Sequence, residues 1–265
     1  MIPRETEFKD ILLKLGRSKN TIKSYVKDLE ILFRDGEEIS NTSVQDSVLF
    51  MSGKGNKPST IRRFLSSVKT YCGIFGIQLN FKVISKPKII QRESSFITDD
   101  VFSLGIGMII ADVNTTDRDI KFKCLLFDFL YKTGIRISEL LSLTTNEYNR
   151  EYNYIQIIGK GNKQRRIPIH KSISHVFDLD WFFERLQRAS YSTILYWTKK
   201  HFGKQYSPHS FRHGYTTKLI KNGASERAVQ SVLGHESYVT TLRYFHMNHE
   251  EIQAEVISAM EDDNV

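Results

Sequence analysis

The sequence predicts a mainly α-helical protein of two domains, the second carrying one small antiparallel β-sheet. Three observations carry that prediction. Apolar residues recur at helical spacing through roughly the first 80 positions. A basic stretch with a proline and no periodicity follows. Later, Tyr154-Ile-Gln-Ile-Ile158 alternates as a strand should, Gly159-Lys-Gly-Asn-Lys163 supplies a turn, and Arg165-Arg-Ile-Pro-Ile169 returns.

In the first domain, residues 1–82, Phe8, Ile11, Leu12 and Leu15 mark the first helix. Ser18 is placed to cap a second, carrying Ile22, Tyr25, Leu29, Leu32 and Phe33. Val44, Val48 and Leu49 mark a third. Ser59 is expected to cap a fourth, on which Ile61, Leu65, Val68 and Phe75 continue the pattern while Arg62, Arg63 and Lys69 fall on other faces. Residues 83–93 read as a linker, with Pro87, polar breaks and a basic bias.

The second domain, 94–265, opens with helices expected over about 98–110 and 118–132. Thr133-Gly134 breaks the chain, and Arg136 starts the next helix with Leu140, Leu141 and Leu143 behind it. The returning strand is an edge strand, because Pro168 cannot donate to a ladder. From 171 onward the pattern is helical again, including a helix over Tyr191–Phe202. The string Gly-Lys-Gly-Asn-Lys also occurs at 53–57, and neither copy fits the phosphate-cradling pattern G-x-x-x-x-G-K-[ST].

Composition narrows the partners. The chain has 265 residues, with 40% hydrophobic and 26% charged residues, as in ordinary globular proteins. No apolar run reaches the roughly 20 residues that span a bilayer, and there is no signal-peptide core at the start. Cys72 and Cys124 lie in apolar stretches without metal-ligand spacing, so buried free thiols in a reducing compartment, the cytoplasm, are expected. Net charge is +8. Residues 1–93 hold 17 Lys+Arg against 10 Asp+Glu, and residues 94–246 hold 21 against 14. The last 19 residues hold six acids and no Lys or Arg. Two basic bodies joined by a basic linker suit a duplex-DNA partner, since each cation near a phosphate releases a counterion.

Opening a phosphodiester needs a nucleophile, cations for the non-bridging oxygens and a proton for the leaving oxygen. The chain supplies these parts in order: Arg136 in Thr133-Gly-Ile-Arg-Ile-Ser-Glu-Leu140, Lys160 in the expected turn, His209 and Arg212 in His209-Ser-Phe-Arg-His213, His235 in Leu233-Gly-His235, and Tyr244 after Arg243. Arginine presents a planar fork to phosphate oxygens that lysine does not match. Glu139, three residues after Arg136, shares its helical turn and is placed to orient it. His209 and His213 are four apart but lack the intervening glutamate of a zinc-binding H-E-x-x-H motif.

This series of motifs resembles the tyrosine recombinase (phage integrase) family. The resemblance implies a helical core-binding domain followed by a catalytic domain. It implies Tyr244 as nucleophile, Arg136 and Arg212 as phosphate ligands, and Lys160 as general acid, with Lys163 the alternative. By the same resemblance His209 is general base, His235 a hydrogen-bond donor to a non-bridging oxygen, and His213 a support. No cofactor and no metal are called for. Ser18-x-x-Thr21-x-x-x-Tyr25 and Ser59-Thr60-Ile61-Arg62 fit the family's loose core-binding pattern. Ile252, Val256 and Met260 form one apolar stripe in an acidic segment, resembling the C-terminal helix that family members pack into a neighbouring protomer of a homo- or hetero-tetramer on two DNA sites. The stretch between Lys160 and His209 is short for the family. Two other readings stay open: a type IB topoisomerase-like enzyme, and a DNA-binding architectural protein without turnover.

Overall fold

The computed structural model describes residues 1–34, 36, 38–88, 95–158 and 164–234. The chain divides into two compact units, Met1–Arg92 and Glu93–Val265.

The first unit holds α1 (Glu5–Lys14), α2 (Lys19–Leu32), α3 (Asn41–Gly53) and α4 (Pro58–Phe75). Ser18 caps α2 as expected, its Oγ accepting from the Thr21 amide at 3.2 Å. Ser40 and Ser43 cap α3 reciprocally. For α4 the expectation is corrected: Lys57 occupies the cap position and Ser59 lies inside the first turn. Pro58 decides this, because its fixed φ and missing N–H suit the first helical position. Phe8, Leu12, Leu29, Val44, Met51, Phe64 and Val68 are buried at the centre. Leu15 and Leu49, placed on the apolar stripes by spacing alone, are 60% and 59% exposed. Residues 83–88 do not stand clear of this unit. Ile84 is buried in its core, Ser85 N–H donates to Gln45 Oε1 at 2.8 Å, and Arg62 Nε donates to the Pro87 carbonyl at 3.1 Å.

One ion pair ties α2 to α4. Asp28 is 1% exposed and accepts from Arg63 Nε at 3.0 Å and Nη2 at 2.8 Å. Burial raises the Asp28 pKa, and the Arg63 guanidinium opposes that rise. Replacing Arg63 by Gln strands a buried carboxylate, so we expect a loss of about 1–3 kcal/mol, read by denaturant unfolding of the first unit.

The second unit holds α5 (Asp99–Ile110), α6 (Asp117–Thr133), α7 (Ile137–Leu140), β1 (Tyr148–Asn149), β2 (Tyr154–Ile158), β3 (Gln164–Pro168), α8 (Lys171–Ser174), α9 (Asp180–Arg188), α10 (Tyr191–His201), α11 (Pro208–Lys221) and α12 (Glu226–Leu233). The sheet is antiparallel in the order β1-β2-β3. The short β1 was not anticipated, since two residues show no period. Strand β3 begins and ends one residue earlier than expected, although Ile169 N–H still donates to the Asn153 carbonyl at 2.7 Å. The register pairs Ile155 with Ile167 and Ile157 with Arg165, which puts Arg165 on the same face as the buried isoleucines.

Phe122, Leu126, Phe127, Phe129 and Leu130 of α6 are fully buried and form the spine of this core. Phe211 of α11 stacks on Phe127 with ring centroids 5.3 Å apart and meets Phe202 edge-on at 5.0 Å. That anchor places its neighbour Arg212 against the end of α6. Gly214 permits the approach on the other side, for a Cβ there would lie 2.1 Å from the Ile97 carbonyl oxygen. Among the histidines given only packing or surface roles, His201 is buried and His170 caps α8.

Cys72 is buried and burial pushes its thiol up to about 11. Cys124 is only half-buried, short of the expectation, though burial raises its thiol too. Both therefore stay protonated and unreactive. No helix among the described residues is long and apolar enough to cross a membrane.

Candidate active site

Three guanidiniums and one carboxylate meet where α6, α7, β3, α11 and α12 converge. Helix α6 ends at Gly134, which takes the left-handed conformation at φ 59°. The chain then reverses, and Arg136 becomes the N-cap of α7. Glu139 reaches back, accepting from the Arg136 amide at 3.0 Å through Oε2 and from Arg136 Nη1 at 2.9 Å through Oε1. The pairing anticipated from the three-residue spacing is present.

The same carboxylate is held from its other side. Arg165 Nη1 donates to Glu139 Oε1 at 2.9 Å and Nη2 to Oε2 at 2.5 Å. Burial alone would raise the Glu139 pKa; the hydrogen bonds and charge of Arg165, then the hydrogen bonds of Arg136, outweigh it and hold the carboxyl below its ordinary value. Glu139 is thus ionised at neutral pH and neutralises one of the three cations.

The C-terminal end of α12 is the other fixed point. Arg165 Nε donates to the Val232 carbonyl at 3.0 Å, Arg212 Nη2 to Leu233 at 2.5 Å, and Arg136 Nη2 to Gly234 at 2.9 Å. Three successive carbonyls each receive a different guanidinium. A helix C-terminus leaves its last carbonyls unpaired and carries partial negative charge, so cations collect there. Gly234, at φ 61°, lets the chain turn out of the helix, and a Cβ on it would lie 2.7 Å from Arg165 Cδ.

Arg212 is the most enclosed of the set, 5% exposed, and its Nη1 also donates to the Gly134 carbonyl at 2.8 Å. Burial, then Arg136 and Arg165, push its pKa down to about 9, with Glu139 opposing. It remains a cation at neutral pH. His209, one turn earlier on α11, is exposed at the mouth of the cluster with its ring centroid 6.3 Å from that of His213. Desolvation by the surrounding protein, then the charges of Arg212 and Arg136, lower its pKa from 6.5, leaving a neutral imidazole at pH 7.

The structure therefore brings together Arg136, His209 and Arg212, with Glu139 beside them. Lys160, Lys163, His235, Tyr244 and the apolar stripe Ile252, Val256, Met260 lie outside the described residues. Arg165 is the member that motif reading passed over. Strand parity was the available signal: counting by twos from Ile167 puts an arginine on the buried face. Among the described residues no three His, Cys, Asp or Glu side chains gather as a metal site would require.

A profile of the phage integrase family matches residues 106–251, more than half of the chain. The chain belongs to the phage integrase family. The matched segment takes in every member of the cluster just described. This integrase-family chain is 29% identical over 274 residues to a tyrosine recombinase of Thermosipho africanus, covering 92% of the chain and 95% of that relative. It is 27% identical over 278 residues to the tyrosine recombinase XerD of Listeria innocua, covering 89% and 91%. Among solved structures it resembles the site-specific recombinase XerH in a post-cleavage complex with a palindromic difH substrate. The TM-score is 0.70 at 17% identity over 97% of this chain and 85% of that one. A lambda integrase dimer bound to a core site gives a TM-score of 0.70 at 15% identity over 89% and 95%. At such identities the structural likeness is one of fold.

Proposed function

We propose that this chain is a site-specific tyrosine recombinase that cuts and rejoins double-stranded DNA through a 3′-phosphotyrosyl intermediate. The observation that carries this reading is the convergence of Arg136 and Arg212 on the end of α12, close enough to a neutral His209 to lower its pKa, at the helix end that precedes His235 in the sequence. Each of the two guanidiniums spends two of its five donors on the described protein groups, so both retain donors for phosphate oxygens.

In this reading the Tyr244 hydroxyl attacks the scissile phosphorus and its proton passes to His209. The new Tyr Oη–P bond replaces the P–O5′ bond, and Lys160 gives its proton to the departing 5′ oxygen. Arg136, Arg212 and His235 neutralise the non-bridging oxygens as charge builds on them. The freed 5′ hydroxyl then attacks a phosphotyrosine on a partner strand, so bond energy is conserved without ATP. Two basic units suit a clamp on duplex DNA, with the first as core-binding domain. A tetramer on two sites, linked by the C-terminal apolar stripe and acting in the cytoplasm, completes the proposal.

Strand exchange is the decisive assay. Plasmids carrying two copies of the DNA flanking the chain's own coding sequence should yield recombinant circles with this protein. Relaxed circles without exchange would point to a topoisomerase-like enzyme, and specific binding with no covalent step to an architectural protein.

The lowered pKa of His209 sets a pH dependence. A base must be unprotonated, so single-turnover cleavage should be level just above pH 6.5 and fall only as pH drops through a value below 6.5. His209→Gln should remove that acid limb along with most of the rate. A rate that rose on acidification would contradict the assignment.

A further inference from the structure

Arg165 differs from the other two guanidiniums in what it does with its donors. Nε, Nη1 and Nη2 each donate to the protein, which uses three of its five donors where the others use two, and the side chain is 7% exposed. Enclosure alone does not set it apart, since Arg212 is 5% exposed. The partners of Arg165, however, are the two groups that fix Arg136: the Glu139 carboxylate, and the terminal turn of α12 whose last carbonyl Arg136 also holds. Deleting it would leave Glu139 held from one side only and α12 without its Val232 bond.

Resting on the recombinase reading above, we propose that Arg165 is a positioning residue, a brace that sets the direction of the Arg136 fork and the exit of the chain from α12 toward His235. Two parallel bonds to one carboxylate fix that carboxylate in plane as well as in place, which a single cation does not do. The bond to Val232 joins the β3 edge to the helix end, so sheet, α7 and α12 move as one body. A displacement of about 1 Å in a phosphate ligand is enough to cost about 10²-fold in rate.

The test uses the full chain and a pool of nicked suicide duplexes tiled across the DNA flanking its own coding sequence. Single-turnover adduct formation at saturating protein should fall about 10²-fold in Arg165→Gln and nearly as far in Arg165→Lys, which keeps the charge but loses the planar fork. Arg166→Gln is the control: it removes the same charge from the exposed face of the same strand and should stay within about fivefold of wild type. Glu139→Gln combined with Arg165→Gln should cost no more than the worse single change, because the two act as a unit.

Amide exchange gives a readout independent of cleavage. The Gly234 amide, which donates to the Gln230 carbonyl at 2.8 Å, should exchange about tenfold faster in Arg165→Gln, with α11 unaffected. Arg165→Gln cleaving within fivefold of wild type, or exchange rising equally in α11 and α12, would overturn the proposal. If no protein forms an adduct, wild type included, the recombinase reading falls, and exchange at Gly234 still decides whether Arg165 braces this turn.

Discussion

Replacing Arg212 by Ala should lower single-turnover DNA cleavage by about 10²–10³-fold and destabilise the second unit at the same time. The two effects come from one geometry. Arg212 Nη1 and Nη2 satisfy the carbonyls of Gly134 and Leu233, and the side chain is almost wholly enclosed. Without it, two buried acceptors lose their donors, a loss of about 3 kcal/mol, which corresponds to a drop of roughly 6–12 °C in Tm for a unit of this size. Arg212→Lys separates the two effects. An ammonium keeps the positive charge but cannot reach both carbonyls and still present a planar pair of donors to a phosphate. We expect it to recover part of the stability and little of the rate. Calorimetry scanned through each transition, and cleavage kinetics run well below the lower Tm, check this. Full recovery of rate by lysine would show that charge alone suffices at this position.

The parts of the fold that sequence reading anticipated are those governed by local chemistry. Ser18 caps α2 because its hydroxyl meets an amide three residues on, and the Thr133-Gly134 break ends α6 because glycine accepts a left-handed φ. Strand β2 matches its expected bounds because alternation over five residues has little helical character. Where two local signals compete the sequence alone misleads: Pro58 and Ser59 both mark a helix start, and proline prevails.

What escaped sequence reading is long-range. Arg165 donates to residues 26 and 67 positions away, and no window of sequence contains both partners. Its place on the buried face follows from the β2–β3 register. Arg63 looked like an exposed cation on a helix face. Its partner Asp28 lies on another helix and is buried beneath it. The Arg136–Glu139 pair, by contrast, spans one turn and was visible from spacing. Local motifs thus reveal Arg136, His209 and Arg212 and leave out Arg165, whose contacts are long-range.

The largest effect of all is expected at Tyr244. A phenol is mostly protonated at neutral pH, with an ordinary pKa of about 10, and it attacks phosphorus only where cations and a base lower the cost of losing its proton. In the proposed mechanism the cluster of Arg136, Arg212 and neutral His209 supplies both, and Tyr244→Phe deletes only the oxygen proposed to react. The most direct measurement is covalent trapping: wild type and Tyr244→Phe are incubated in EDTA with the tiled nicked duplexes and run on a denaturing gel. Covalent attack by Tyr244 should give a protein–DNA adduct that EDTA leaves intact and that the substitution abolishes. An adduct that persists in Tyr244→Phe, or one that forms only when a divalent metal is restored, would contradict it.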